Sequence, residues 1–329
     1  MKKIIFKKTG GPEVLSIIDV PDPVIKNNEV LINLKSIGLN WSEIMVRRGE
    51  WPMELSEGFT PGVEGVGIVE AVGPDAQKIK PGDKVANFEI DAYLTAGQGN
   101  YAGKIAVAED KVLALPGDFS MADAAALPMA VLTAYDALIN HSPIPESGTI
   151  LITACTGSVG IAALQIARLK GLRVIATTRS AEKIPAIEEL GAEAILTDDA
   201  VDLCQKVSDA AGADGIDYVF DPISGDVASG LISMINPNGT FVSYGALDGD
   251  RFTIDTNLLF NQIKVHGYVV ISNLADTKAL QKTWNDILPL VREKDIVVPV
   301  AKTFPFAEVA QAHKYFESHA HFGKIVLLQ

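Results

Sequence analysis

The chain has 329 residues, 48% of them apolar and 21% charged, with a formal net charge of −13. That length allows two well-buried domains, and the acidic balance excludes nucleic acid or an anionic membrane surface as an electrostatic partner. Two cysteines, Cys155 and Cys204, make no disulfide framework; with no signal-like start and no apolar run of spanning length, the expected compartment is the cytoplasm.

From residue 1 to about 116 the text is strand-like and punctuated by turns. Residues 2–8 and 14–20 flank GGPE, and 29–37 alternates as a half-buried strand does. FTPGVEGVGIVEAVG and IKPGDKVANF follow, dense in glycine and valine. Glycine within strand text marks bulges and tight bends, so this region predicts a small, strongly bent β-domain. From Ser120 the text turns helical, with Pro128 as an interruption.

Residues 149–179, TILITACTGSVGIAALQIARLKGLRVIATTR, organise the rest. TILIT suits a strand buried on both faces. Val159, Ala162, Ala163, Ile166 and Leu169 recur at helical spacing, Gly171 ends that helix, and RVIATT returns as a second buried strand. The turn between strand and helix, Ala154-Cys155-Thr156-Gly157-Ser158, reads CxGxxG with Gly157 and Gly160. Gly157 lets a pyrophosphate approach the backbone, Gly160 lets the helix pack on the strand, and the first-turn N–H groups of Ser158 and Val159 face the anion.

An NAD site places Asp or Glu at the end of the second strand to hold the ribose 2′-OH. Here that place holds Thr178, followed by Arg179, Ser180 and Lys183. No carboxylate repels a 2′-phosphate and two cations are at hand, so the expected cofactor is NADPH; Pro185, early in the next helix, is the feature that could move Lys183. Beyond this unit, strands are expected at 194–197, 216–220, 239–244 and 265–270, and helices at 181–190, 201–211, 226–235 and 255–263. Six parallel strands make a full dinucleotide-binding sheet. After Ser272 the pattern is helix (278–293), strand, helix (306–318) and a terminal strand, GKIVLL.

With TGGPEVL, GLNWSE, PGVEGVGIVEAVG, KPGDKV, AALPMAVLTAYDAL, TACTGSVG, FDPISG, VSYGALDG and FGKIVL on the page, the chain resembles the medium-chain dehydrogenase/reductases nearly end to end. Within them it looks like the zinc-free quinone oxidoreductase (zeta-crystallin-like) branch. The resemblance implies an α/β fold: a GroES-like bent β-domain from 1–122 and 271–329, and a Rossmann domain with a six-stranded parallel sheet from 123–270. It implies an active site in the cleft between domains, a homodimer joined through sheet edges, Thr133 near the nicotinamide carboxamide, and Ser243, Tyr244 and Gly245 along the cofactor's ribose.

Zinc-dependent relatives carry ligands where this chain has Asn40, Val63 and Met129, and a four-cysteine lobe where it has none. Zinc needs three or four converging N, S or O ligands, so no metal is expected. Without a Lewis acid the acceptor must already be electrophilic, which points to hydride transfer from NADPH to a quinone or an α,β-unsaturated carbonyl. Asn40 is the first candidate hydrogen-bond donor, with a turn-forming role as its alternative; Tyr101 and Tyr135 are lesser candidates, equally readable as packing aromatics. Reduction of an enoyl thioester and a non-catalytic NADPH-binding role remain as alternatives. His141, His266, His313, His319 and His321 fall on no motif, and His319 and His321 read as an exposed pair.

Overall fold

The computed structural model describes residues 1–329 except Pro52, Glu57, Glu89, Asp198 and Asp199 and the side chains of Asp91, Ala200 and Val201. The chain forms two compact units, one of Met1–Ala130, Leu274–Arg292 and Val298–Gln329, the other of Val131–Asn273 and Glu293–Val297.

The first unit opens with an antiparallel hairpin of β1 (Lys2–Ile5) and β2 (Ser16–Asp19). It continues with β3 (Glu29–Gly38), β4 (Gly65–Val72), β5 (Lys84–Asn87), β6 (Lys104–Ala108) and β7 (Val112–Ala114). The second unit carries β8 (Thr149–Ile152), β9 (Arg173–Thr178), β10 (Glu193–Leu196), β11 (Ile216–Asp221), β12 (Ile235–Ser243) and β13 (Lys264–Gly267). The first unit is then completed by β14 (Val300–Pro305) and β15 (Lys324–Leu328).

In the first unit the strands form a sheet of order β14-β15-β3-β4-β5-β7, with β6 also on β3. The last strand lies antiparallel to β3, with Val326 opposite Gly38 and Leu328 opposite Ser36. Alternation along β3 places Val30, Ile32 and Leu34 in a core with Val69, Val85 and Val107, while Ile37 joins Tyr101, Phe304, Ile325 and Leu327. Each such side chain contributes about 1.5–3 kcal/mol by leaving water. The glycines of β4 have a steric reason. A Cβ on Gly67 would stand 2.2 Å from the Asn33 carbonyl oxygen, and the pairing of β3 with β4 shifts register twice. Those irregularities bend the sheet.

The second unit is a parallel six-stranded sheet of order β10-β9-β8-β11-β12-β13. All four residues of β8 are buried, as a strand covered on both faces requires. Ile175, Leu151, Val219 and Phe241 stand in register across four neighbouring strands and form the middle of one core.

Several boundaries differ from expectation. The strand expected at 239–244 starts at Ile235, and the preceding helix, Gly225–Ile232, ends three residues short of it. The strand expected at 265–270 stops at Gly267, because Val270 begins a short helix, Val270–Leu274. The helix expected to reach residue 263 ends at Phe260, before Gln262 takes a left-handed φ of 59°. The first unit reaches Ala130, beyond the expected boundary at 122, since the helix Met121–Ala125 packs on β3 and β4 and Met129 N–H donates to Glu64. It resumes at Leu274 and not at 271, while Glu293–Val297 stays with the second unit, where the Gln165 amide holds both polar groups of the Val297 backbone. Among the described residues one helical stretch, 121–141, is long and apolar enough to cross a membrane, and most of it is buried within the chain.

Candidate functional site

In the second unit, β8 feeds the turn into the helix Ser158–Leu169. Ala154 takes a left-handed φ of 47°, and Cys155 N–H donates to the Thr177 carbonyl, which ties the turn to β9. Gly160 is required by packing: a Cβ there would stand 2.8 Å from Cys155 Cα. Gly157 is different, because its Cβ would meet only the Ala154 oxygen, at 3.7 Å. Among the described residues nothing demands a glycine at 157, so the open space fits a ligand's approach. No side chain caps the helix at Gly157, and Thr156, Ser158 and Val159 are partly exposed beside it. The turn therefore presents first-turn N–H groups and the positive end of a helix dipole, the donor set that suits a pyrophosphate. Cys155 contributes only backbone. Its side chain is fully buried and burial pushes the thiol up to about 12, so it is no nucleophile.

At the end of β9 the Thr178 hydroxyl is buried and accepts from Ser180 N–H, so it shapes the corner. Arg179 is exposed, and Lys183 is partly buried. Burial lowers the Lys183 pKa, with the Arg179 charge as a second cause. Two cations that disfavour each other at one corner form a place for a dianion such as a 2′-phosphate. Pro185 sits in the first turn of the helix Ile184–Glu189, where a missing N–H costs nothing, and Lys183 stands at its N-cap position without a side-chain cap bond.

The ends of β8, β11 and β12 converge on a cluster that joins Ser243 and Gly245 to Thr153, Asp221 and Ser224, three residues given no role from the sequence. Buried Asp221 accepts from the Thr153 hydroxyl and, at 2.7 Å, from Ser224 N–H. The Ser224 and Ser243 hydroxyls are 3.1 Å apart, and both reach the Gly245 carbonyl. Tyr244 stacks on Phe220 at 4.0 Å. Ser243, Tyr244 and Gly245 are thus held together at a carboxyl edge of the sheet, where ligands sit in open α/β folds. Thr133 is buried on the helix Pro128–Tyr135, and Tyr135 is partly exposed at its end.

The first unit holds a second group of polar side chains. Asn40 precedes the helix Trp41–Arg48, and Glu43 reaches back to Asn40 N–H at 3.0 Å as a capping box does. Glu43 is fully buried and also accepts from Val63 N–H (3.1 Å) and the Tyr101 hydroxyl (2.9 Å). Burial pushes its carboxyl up to about 7 against those donors. The Tyr101 oxygen is 3.0 Å from His313 Nε2, and burial followed by the Arg47 charge pulls that imidazole down to about 3. Tyr101 and His313 are both completely buried, so Tyr101 braces Glu43 and cannot touch a substrate. His321 is buried too, its ring 4.9 Å from that of Phe316, while His319 is exposed against Trp41; the two are no exposed pair.

On the other side of Asn40 stands an ion pair. Lys324, on β15, is 1% exposed and places Nζ 2.5 Å from Glu64 Oε1 and 2.7 Å from Asn40 Oδ1. Asn40 Nδ2 donates to the same Glu64 oxygen at 3.0 Å, and its remaining contacts, to Gly38 O and Glu43 Oε1, are long at 3.3 and 3.4 Å. Glu64 Oε2 accepts from Met129 N–H at 2.8 Å. Among the described residues no three His, Cys, Asp or Glu side chains converge as a metal site does.

Two family models match the chain: the alcohol dehydrogenase GroES-like domain over residues 26–117 and the zinc-binding dehydrogenase domain over 158–293. A quinone oxidoreductase of Pseudomonas aeruginosa is 30% identical over 332 residues, covering 99% of each chain. The pig quinone oxidoreductase is also 30% identical, over 100% of this chain and 98% of its own. The chain belongs to the quinone oxidoreductase branch of the medium-chain dehydrogenase/reductases. Its fold superposes on that of the Escherichia coli quinone oxidoreductase, solved in complex with NADPH, with a TM-score of 0.90, 26% identity and full coverage of both chains. The zinc-binding dehydrogenase description belongs to the family model matched over residues 158–293. The matched segment here is chiefly the parallel sheet with its helices, and the polar groups around Asn40 lie outside it.

Proposed function

We propose that this chain is a cytoplasmic, NADPH-dependent oxidoreductase that delivers hydride to a quinone or an α,β-unsaturated carbonyl and does so without zinc. The observation that carries the reading is the state of Asn40, where zinc-dependent relatives hold a metal ligand. Its amide is gripped by an internal ammonium and a carboxylate, and Val63 and Met129 at the other two positions are buried side chains without a hard donor. NADPH, when bound, supplies the hydride.

The chain's own residues do the rest in this reading. The turn at Gly157 and the helix start hold the pyrophosphate, and Arg179 with Lys183 holds the 2′-phosphate. Thr133 takes the carboxamide, and Ser243, Tyr244 and Gly245 line the ribose. Asn40 Nδ2 donates a hydrogen bond to the oxygen on which charge develops, since its 3.3 and 3.4 Å contacts are weak enough for an acceptor to displace. Family membership and the exposed Leu259, Phe260 and Val269 flanking edge strand β13 support a homodimer joined at that edge.

The test is NADPH oxidation across acceptors graded by reduction potential, with Asn40→Ala alongside. Turnover is expected to fall from quinones through conjugated carbonyls to saturated ketones. Asn40→Ala is expected to lower kcat by about 10²–10³-fold, the usual loss for one oxyanion donor, with little change in NADPH affinity. Efficient oxidation of a plain secondary alcohol by metal-free protein would defeat the reading. Tight NADPH binding with no turnover of any acceptor would replace it with a non-catalytic role.

A further inference from the structure

The Asn40 carboxamide has two orientations that differ by exchange of its oxygen and nitrogen, and only one of them matches the donor and acceptors around it. Two groups select that orientation. The Lys324 ammonium is a pure donor, so it takes Oδ1, at 2.7 Å; Glu64 Oε1 is a pure acceptor while ionised, so it takes Nδ2, at 3.0 Å. Glu64 also neutralises the ammonium at 2.5 Å, and Met129 N–H fixes its second oxygen. A buried ammonium has three N–H donors, and one carboxylate oxygen satisfies only one of them. Here its second bond goes to Asn40, and both members of the ion pair are 1% exposed, so their field is little screened by water.

We propose that Lys324 is a positioning residue for the reaction, acting through Asn40: its ammonium locks the carboxamide and draws electron density toward Oδ1, which strengthens the Nδ2 hydrogens as donors to the substrate oxygen. The proposal rests on the assignment of Asn40 to the acceptor. The positive charge that a metal enzyme sets on the reacting oxygen is placed here one amide away. The consequence is orientation without a labile ion, since Lys324 is held covalently by β15. Charge-assisted bonds are about twice as strong as neutral ones, so the lock is stiffer than an Asn–Asn or Asn–backbone contact supplies.

The experiment compares unmodified protein, Lys324→Arg, the neutral pair Lys324→Met/Glu64→Gln, and each in an Asn40→Ala background, in NADPH oxidation with a quinone. The neutral pair removes both buried charges together, so neither is left uncompensated. It is expected to lose on the order of 10- to 100-fold in kcat, the range for one charge-assisted hydrogen bond, with unchanged NADPH affinity. Lys324→Arg, which keeps the charge, is expected to retain more activity than the neutral pair. In the Asn40→Ala background the neutral pair is expected to cost nothing further. An independent readout uses unmodified, ¹⁵N-labelled protein: at least one Asn40 Nδ2 hydrogen is expected to lie downfield of the exposed asparagine amides and to exchange slowly with water. Asn40 Nδ2 signals at the shifts and exchange rates of an exposed asparagine amide overturn the proposal even if the neutral pair fails to fold. A folded neutral pair with full kcat, or an equal loss with and without Asn40, overturns the role of Lys324 while leaving the oxidoreductase reading intact. Unmodified protein inactive with every acceptor overturns both.

Discussion

Replacing Glu43 with glutamine probes the buried brace behind Asn40. The carboxylate accepts from Asn40 N–H, Val63 N–H and the Tyr101 hydroxyl. An amide has one acceptor oxygen, so in either orientation a backbone N–H faces an NH₂ group, at a cost of about 1–3 kcal/mol. That deficit changes with pH, because only the natural residue titrates. Burial pushes the Glu43 carboxyl from 4.5 up to about 7. Between those values the folded chain holds a proton that the unfolded chain has released. Folded protein therefore binds more protons, and the Glu43 contribution to stability falls as pH rises from about 4.5 to about 7, then levels. A rise of about 2.5 in pKa at about 1.36 kcal/mol each gives about 3 kcal/mol across the window. The margin of the natural protein over Glu43→Gln is thus expected to shrink by about that much, enough to cancel or reverse it above neutrality. Urea unfolding followed by tryptophan fluorescence at about pH 5 and about pH 7.5 measures it. All three tryptophans, Trp41, Trp51 and Trp284, lie in the first unit, so the signal reports the unit that contains Glu43. Other carboxylates titrate equally in both proteins and cancel. A margin that stays level or grows with pH would show that the donors outweigh burial and that Glu43 is ionised throughout.

Arg179→Ala is expected to weaken NADPH binding by on the order of 10- to 100-fold, the worth of one charge-assisted bond, and to leave NADH binding nearly unchanged. Titration of both cofactors decides it, and equal losses would show that Arg179 does not read the 2′-phosphate. Gly160→Ala forces a methyl against the Cys155 backbone at 2.8 to 3.0 Å; a loss of about 1–3 kcal/mol in stability and weaker NADPH binding are expected, and an unchanged melting curve would mean that the helix shifts freely. Elemental analysis is expected to find no stoichiometric zinc, and chelators no effect on activity. About one zinc per chain, lost together with turnover, would refute the metal-free chemistry.

The parallel sheet was legible because its signals are local. TILI is buried at every position, and the helix after it shows a 3.6-residue period, so strand and helix announce themselves within a dozen residues. Boundaries such as Ile235 were less so: the chain enters β12 through Asn236 and Pro237 and takes a left-handed φ at Asn238, text that reads as a turn. The polar groups around Asn40 were legible only in part. Asn40 and Tyr101 stood out as residue types, but Glu43 was one letter of GLNWSE and Glu64 one letter of PGVEGVGIVEAVG. His313 fell on no motif, and Lys324 was one letter of a terminal strand. Their meaning depends on pairings made by the fold, and no periodicity encodes which strand comes to lie beside β3.

The partners Glu64 and Lys324 are separated by 260 positions, and the second unit is spun out between them. At about 5–20 residues per second, a ribosome takes roughly 10–50 seconds to travel from one to the other. Until the last strands are made, the nascent N-terminal sheet lacks β14, β15 and the Lys324 ammonium that pairs with Glu64, while the parallel sheet has all six of its strands once residue 267 is made, 57 residues before Lys324. Vectorial synthesis therefore favours an order in which the nucleotide-binding unit matures first and the unit carrying Asn40 closes last. Chaperone dependence and sensitivity to proteolysis during translation should accordingly map to the early half of the chain, and a premature stop a few codons upstream of Lys324 should leave a protein able to fold its parallel sheet but not to complete the other.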